Sequence, residues 1–422
     1  MNKNISHRDP SCMDDFDPDS LPVDEATHRI QQQLQPLHGF EKIALRSALN
    51  RTLYTDILSS MDVPSHTNSA MDGYAVRGID LPREGPQHFE LVGTSWAGRP
   101  FLESISATQC VRIMTGALLP EGSDTVVIQE HVQLKDNKVR IEAGHKPGQN
   151  VRSAGEDIAK NQAVLEAGRK LTPADLGLLA SLGIGEVKVF RKLRVAFFST
   201  GDELRSIGEQ LQPGDIFDSN RYTLYGMLTR LGVEPIDMGV IRDQREDTFE
   251  AFREAAKYSD VIITSGGVSV GEADFVKECL DELGKITFWK VSMKPGRPLA
   301  FGQIGQSWFF GLPGNPVSVM VTFYMFVQPA LRKLMGERET TPLLLQARCD
   351  SQIRKRAGRT EYQRGVIGRD DAGNLTVSKT GAQGSGILTS MSHGNCFIIL
   401  PLEAESIDPG STVSVLPFSS IM

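Results

Sequence analysis

The 422-residue sequence is poor in several things, and each shortage removes a class of protein. Its five cysteines (Cys12, Cys110, Cys279, Cys349 and Cys396) are scattered and form no Cys-x-x-Cys pair. That argues against a zinc site and a disulfide framework, and a reducing, cytoplasmic location is expected. No apolar run approaches the ~18 residues that span a bilayer, so no membrane partner is expected. The opening residues, MNKNISHRDPSCMDDFD, are polar and acidic, unlike a secretory signal. Positive charge is short too: the net charge is −7 and the pI near 5.7, which excludes a general nucleic-acid footprint. Any anion bound here has to be held by local geometry.

What remains is enough chain for roughly three domains of about 150 residues each. Residues 1–20 hold five aspartates and few apolar groups, and should be disordered. From Asp24, the residues Ala26, Ile30 and Leu34 recur at helical spacing. Between 58 and 151 short alternating runs such as HFELVGTSW and DTVVIQEHVQL come at strand-and-turn spacing, which reads as a β-rich domain. In it Asp72 and Gly73 carry a turn signature, and RIMTGA ends a strand at Thr115 and Gly116. GEDI (Gly155 to Ile158) follows Arg152, and then Thr172, Pro173 and Asp175 open a helix that Gly183 ends. The β-rich segment is therefore read as an insertion between two halves, 21–57 and 152–192, of one helical linker domain.

Residues 193–338 alternate strand and helix as a doubly wound α/β domain does. Ligands bind such sheets beyond the carboxyl ends of the strands. Polar residues gather at those positions: Thr200, Asp202 and Glu203, then Asp243, then Glu272 and Asp274, then Lys290, Lys294 and Arg297. The last strand runs into LPGNP, where Asn315 is the expected N-cap and Pro316 the first residue of a long apolar helix. Residues 339–422 return to strand patterns and read as a small barrel or sandwich, with Arg364 and the loop Gly381 to Asn395 as its functional candidates.

One stretch, DVIITSGGVSVGEADF (Asp260 to Phe275), organises these observations. A β-branched run breaks at a glycine-rich turn and restarts as a helix, so unpaired N–H groups converge on one spot. Glu272 and Asp274 would repel an anion there unless a hard cation such as Mg²⁺ sits between. Two readings stay open: a metal-assisted phosphate or oxyanion site, or a sharp turn whose acids cap the helix.

The ordered motifs SAMDGYA, RIMTGA, GEDI, STGDEL, SGGVSVGEAD, KPGRP and LPGNP resemble those of the molybdopterin molybdenumtransferases, a family that includes the C-terminal part of gephyrin. The resemblance covers residues 21–422. It implies a discontinuous helical linker domain, an inserted β-rich domain, an α/β domain and a C-terminal β-barrel in an elongated homodimer. It further implies insertion of molybdate into adenylylated molybdopterin with Mg²⁺, releasing AMP. On that reading Glu203, Asp243 and Asp274 organise Mg²⁺ and the attacking water, while Asp72 and Thr115 join them from the other subunit. Lys290, Lys294 and Arg297 hold the pterin phosphate or molybdate, together with Arg364 and Ser385 of the barrel. Backbone of Ser265, Gly266, Gly267, Ser269 and Gly271, and of Pro313, Gly314, Asn315 and Pro316, cradles anionic oxygens. Arg152 and Asp157 take positioning roles. Arg297 departs from a common pattern, standing where a lysine is often found. The molybdopterin adenylyltransferase and downstream molybdoenzyme maturation proteins are the expected partners. Adenylylation alone is the rival activity, but this chain has a single such α/β domain and carries the insertion enzyme's other domains. A pure scaffold could lose its acids, and here Asp72, Glu203, Asp243 and Asp274 are all present.

Overall fold

The computed structural model describes residues 20–267, 275–338 and 341–421. The chain forms two compact units, residues 42–189 and residues 1–41 together with 190–422. It enters through helix α1 (Val23–Gln33), whose first turn carries Asp24 and Glu25 where exposed N–H groups favour negative charge. Ala26, Ile30 and Leu34 are buried, the stripe expected from their spacing.

Within residues 42–189 a six-stranded sheet comprises β1 (Gly73–Val76), β2 (Gln87–Ser95), β3 (Gln109–Ile113), β4 (Thr125–Ile128), β5 (Val132–Lys135) and β6 (Lys138–Ile141). Their spatial order is β4-β1-β3-β2-β6-β5. Tyr74 and Val76 pack on one face with Phe89 and Val127, while Ala75 packs on the other with Ile113 and Val126. Residues before and after the sheet meet in a separate core of Ala48 and Leu53 with Leu165, Leu179 and Val189. Helix α2 (Pro173–Ser181) belongs to it, with the capping box of Thr172 and Asp175 in place. It is the one α-helix described within residues 42–189; strand pairings such as Ile57–Leu58 with Ala163–Leu165 do the rest.

The other unit contains β7 (Arg194–Thr200), α3 (Ser219–Leu231), β8 (Glu234–Ile241), α4 (Arg245–Tyr258), β9 (Val261–Ser265), α5 (Phe275–Leu283), β10 (Gly284–Lys290), β11 (Met293–Lys294), β12 (Pro298–Ile304) and β13 (Ser307–Leu312). Helices α6 (Pro316–Thr322) and α7 (Gln328–Leu334) follow, joined by a π-helical turn over Phe323–Val327. Sheet order is β8-β7-β9-β13-β12-β10, with the first four parallel. Strand β12 runs against both neighbours, because a two-residue connection at Gly305, φ +60°, folds β13 straight back on it. Strand β10 consequently shares the sense of the parallel four and ends at the same edge of the sheet. Helices α3, α6 and α7 cover one face and α4 with α5 the other, so β9 is buried along its length.

Strands β14 (Leu345–Cys349), β15 (Thr360–Arg369), β16 (Leu375–Lys379), β17 (Cys396–Leu400) and β18 (Thr412–Pro417) close into a five-stranded barrel through the β15–β17 pairing. Its interior is filled by Ala347, Cys349, Val377, Ile398 and Val415. The alternate residues Tyr362, Phe397 and Leu416 face outward into the core that holds α6 and α7. Helix α1 lies in that same core, beside Leu331 and Leu334, not with residues 152–192 where its sequence grouping put it. An amphipathic stripe declares that a helix is covered, not by what.

Candidate functional site

At the carboxyl ends of the parallel strands three loops meet. The first, Thr200 to Glu203, turns at Gly201, where a Cβ would lie 2.8 Å from both carboxylate oxygens of Glu203. Glycine is favoured there by its φ of +149°, since the carboxylate is the far end of a flexible side chain and could shift. The second begins at Gly266, φ +91°, where a Cβ would come within 2.6 Å of the Thr200 carbonyl oxygen. Gly267 follows at φ +64°. The third is Pro313 to Pro316: the Gly266 amide donates to the Leu312 carbonyl (3.1 Å), and Asn220 of α3 donates its side-chain N–H to the Gly314 carbonyl (2.7 Å). Gly314 and Asn315 are exposed. Ser265 offers backbone only, because its buried hydroxyl pairs with that of Ser199 at 3.0 Å. Ser269, Gly271 and Asp274 lie outside the described residues, as does Glu272.

Carboxylates converge on the rim of these loops. The Asp243 amide donates to Asp202 Oδ1 at 3.2 Å. Burial first, and then the charges of Asp202 and Glu203, push the Asp243 carboxyl above its ordinary range. Like charges gathered in this way are the setting in which a divalent cation is favourable, and carboxylate oxygens suit Mg²⁺. Among the described residues no group of three Asp, Glu, His or Cys side chains stands close enough to hold a metal by itself. Asp274, the third residue assigned to Mg²⁺, is not described.

The cations line the neighbouring segment. Half-buried Lys290 ends β10, and its loop closes through the Val291 amide donating to the Arg297 carbonyl at 2.7 Å. Gly296 lets this loop approach α6, since a Cβ there would meet the Thr322 hydroxyl at 2.5 Å. Arg297 is buried, whereas the Lys294 side chain is about half exposed. Strand β11 continues the barrel's ladder, Lys294 standing opposite Glu361 of β15. The Lys294 ammonium donates to Glu361 Oε1 at 3.2 Å.

Two barrel candidates occupy places that their sequence did not reveal. Arg364 is only 1% exposed and donates to Ser390 Oγ (3.0 Å) and to the Gly384 carbonyl (3.1 Å). Burial pushes its guanidinium down to about 10, with Glu361 pulling the other way, so it is charged at neutral pH. Ser385 accepts, through its backbone carbonyl, from the Val317 amide at 3.0 Å. One of the N–H groups at the start of α6 is thereby taken by the barrel loop. Asn315 is the N-cap residue, but its side chain makes no capping bond. Glu361 and Asn220, absent from the sequence-based candidates, carry two of the contacts that hold this region; Glu361 sits in the same strand run as Arg364, EYQRGVIG, with no signal of its own.

The remaining candidates belong to residues 42–189. Asp72 Oδ1 accepts from both the Thr115 amide (2.7 Å) and the Thr115 hydroxyl (2.8 Å). Those bonds, with the Arg112 charge, hold the Asp72 carboxyl below its ordinary range. Arg152 pairs in register with Asn68, and the Asp157 amide donates to the Val63 carbonyl at 3.0 Å; both side chains are exposed.

Family models match the chain along nearly its whole length: MoeA N-terminal region (domain I and II) over 21–183, probable molybdopterin binding domain over 196–333, and MoeA C-terminal region (domain IV) over 346–418. A molybdopterin molybdenumtransferase of Haemophilus influenzae is 44% identical over 404 residues, covering 95% of this chain and 100% of its own. Gephyrin of Dictyostelium discoideum is 36% identical over 94% of this chain and 62% of its own. The crystal structure of a molybdopterin biosynthesis moeA protein from Pyrococcus horikoshii superposes with a TM-score of 0.84 at 28% identity, covering 94% of this chain and 100% of that one. An α/β domain with this strand-end site, joined to a closed barrel and an inserted sheet, is the architecture of the MoeA proteins. The chain belongs to the molybdopterin molybdenumtransferase family.

Proposed function

We propose that this protein transfers molybdenum from molybdate to molybdopterin, with adenylylated molybdopterin as the acceptor and AMP as the released product. The observation that carries this is the meeting of Asp202, Glu203 and Asp243 with the glycine turns at Gly266 and Gly314 on one edge of the sheet. The turns supply N–H donors for phosphate oxygens, and the carboxylates hold and orient a water against the phosphoanhydride. Glu203, Asp243 and Asp274 would hold Mg²⁺, which when bound neutralises charge on the phosphates. Lys290, Lys294 and Arg297 attract the molybdate dianion and the pterin phosphate to the same edge. Asp72 and Thr115 complete the site across a homodimer, with Arg152 and Asp157 in positioning roles. The cytoplasm suits this chemistry, and among the described residues no helix is long and apolar enough to cross a membrane.

Purified protein supplied with adenylylated molybdopterin, Mg²⁺ and molybdate should release AMP in a molybdate-dependent manner. The product should activate a cofactor-free molybdoenzyme. AMP release indifferent to molybdate, or a product that activates nothing, overturns the assignment.

A further inference from the structure

Lys294 is usefully placed for an anion only if its flexible four-carbon stem is held, and the structure shows what holds it. Residues Lys294 and Glu361 face each other in the parallel β11–β15 ladder, so the barrel fixes the lysine's backbone as well as its ammonium. Glu361 is 6% exposed, and both its oxygens are engaged: Oε1 by Lys294 Nζ at 3.2 Å, Oε2 by Gln363 Nε2 at 2.8 Å. The glutamine thereby sets the carboxylate's rotation, and the carboxylate sets the ammonium's place. Removing a carboxylate from water offsets most of what such a pair gains, so the pair is weak evidence of a stabilising role. What it does supply is direction. The carboxylate uses one of the ammonium's three donors, and the Lys294 side chain stays about half exposed.

We propose that Glu361 is a positioning residue for the transfer reaction: from the barrel, it holds the Lys294 ammonium at the sheet edge, aimed at the oxyanion substrate. This rests on the function proposed above. It also gives the barrel a part in the chemistry, since a residue of the α/β segment takes its working position from a barrel strand.

Molybdate binding at equilibrium and molybdate-dependent AMP release are measured for wild type, Glu361→Ala, Glu361→Gln, Lys294→Ala and the Lys294→Ala/Glu361→Ala double variant. In Glu361→Ala the half-saturating molybdate should rise about tenfold, with the saturated rate within about twofold of wild type. Glu361→Gln keeps an acceptor for the ammonium and should recover part of the loss, to about threefold. The double variant should bind molybdate no more weakly than Lys294→Ala, because both changes remove one interaction. Additive losses, or half-saturation unchanged in Glu361→Ala, overturn the proposal. If Glu361→Ala fails to fold, Glu361→Gln decides alone: unchanged or tighter molybdate binding would mean that the carboxylate merely repels the anion. A wild-type protein that shows no molybdate dependence refutes the assigned function instead, which is a separate result.

Discussion

Asp72 and Thr115, forty-three residues apart, are joined by two hydrogen bonds to a single carboxylate oxygen, one from the threonine amide and one from its hydroxyl. The pair fixes the direction of a half-exposed acid and keeps it ionised. Because its carboxyl lies below the usual range, the stability it gives is present above an unfolded value near 3.8 and fades as pH falls through the folded one. Thr115→Val removes the hydroxyl bond and leaves the amide bond. The Asp72 carboxyl should titrate closer to its ordinary value in that variant, as followed by carboxyl-carbon NMR, with little change in melting temperature. A titration identical to wild type would deny the hydroxyl any part.

The proposed homodimer can be tested through the same acid. Mixing Asp72→Ala with Asp274→Ala subunits should restore activity to about a quarter of the sites in a random mixture, since each site would draw on both chains. Heterodimers that form and stay inactive would sink the shared site.

Asp243 behaves in the opposite sense. Its carboxyl is raised by burial and by Asp202 and Glu203, so ionising it opposes folding. That cost begins as pH rises past the unfolded value of 3.8 and is complete once pH exceeds the folded one. Asp243→Asn should therefore melt at neutral pH no lower than wild type, and up to about 3 °C higher. AMP release should fall at least about a hundredfold if the carboxylate takes part in the proposed reaction. Added Mg²⁺ should raise the wild-type melting temperature more than that of the variant. A variant that melts well below wild type would contradict the crowding of charge inferred here.

Arg364 is expected to matter for stability before it matters for anions. Arg364→Ala leaves Ser390 and the Gly384 carbonyl without their donor inside a packed wall, a loss of about 2–4 kcal/mol in denaturant unfolding. Molybdate affinity should weaken only as far as the loop 381–390 shifts. Weaker molybdate binding with unchanged unfolding would instead make Arg364 a direct ligand.

Gly266→Ala confronts both φ +91° and the Thr200 carbonyl at 2.6 Å. Strain of about 1–3 kcal/mol is expected, relieved by displacement of the turn that the acids and LPGNP surround. Turnover should drop further than stability does; a variant with wild-type kinetics would mean that the turn geometry is dispensable.

Most of the α/β domain was legible because buried β-branched runs and amphipathic helices have different periods, and the alternation of strand and helix expected there occurs. The residues at the strand ends were legible for the same reason: once the strands are placed, Glu203, Asp243 and Asn315 fall at one edge. What could not be read was tertiary. Nothing in GQIGQ announces that β12 is reversed. Nothing in EYQRG says that Tyr362 faces the α/β core, that Arg364 is buried against the loop of Gly384 and Ser390, or that Glu361 meets a lysine from another segment. Ser385 acts through its carbonyl, which every residue has, so its type carries no signal. Helix α1 shows its apolar stripe plainly, yet only the fold reveals that α7 covers it.

The core that runs from α1 through α6 and α7 into the outer wall of the barrel has a kinetic implication. Swinging the barrel away would strip Tyr362, Phe397 and Leu416 from their neighbours and break the Ser385–Val317 bond. The seam is a weld and not a hinge. If the proposed function holds, a bulky ligand would then enter and leave past the loops at the rim rather than through an opening between the barrel and the α/β segment.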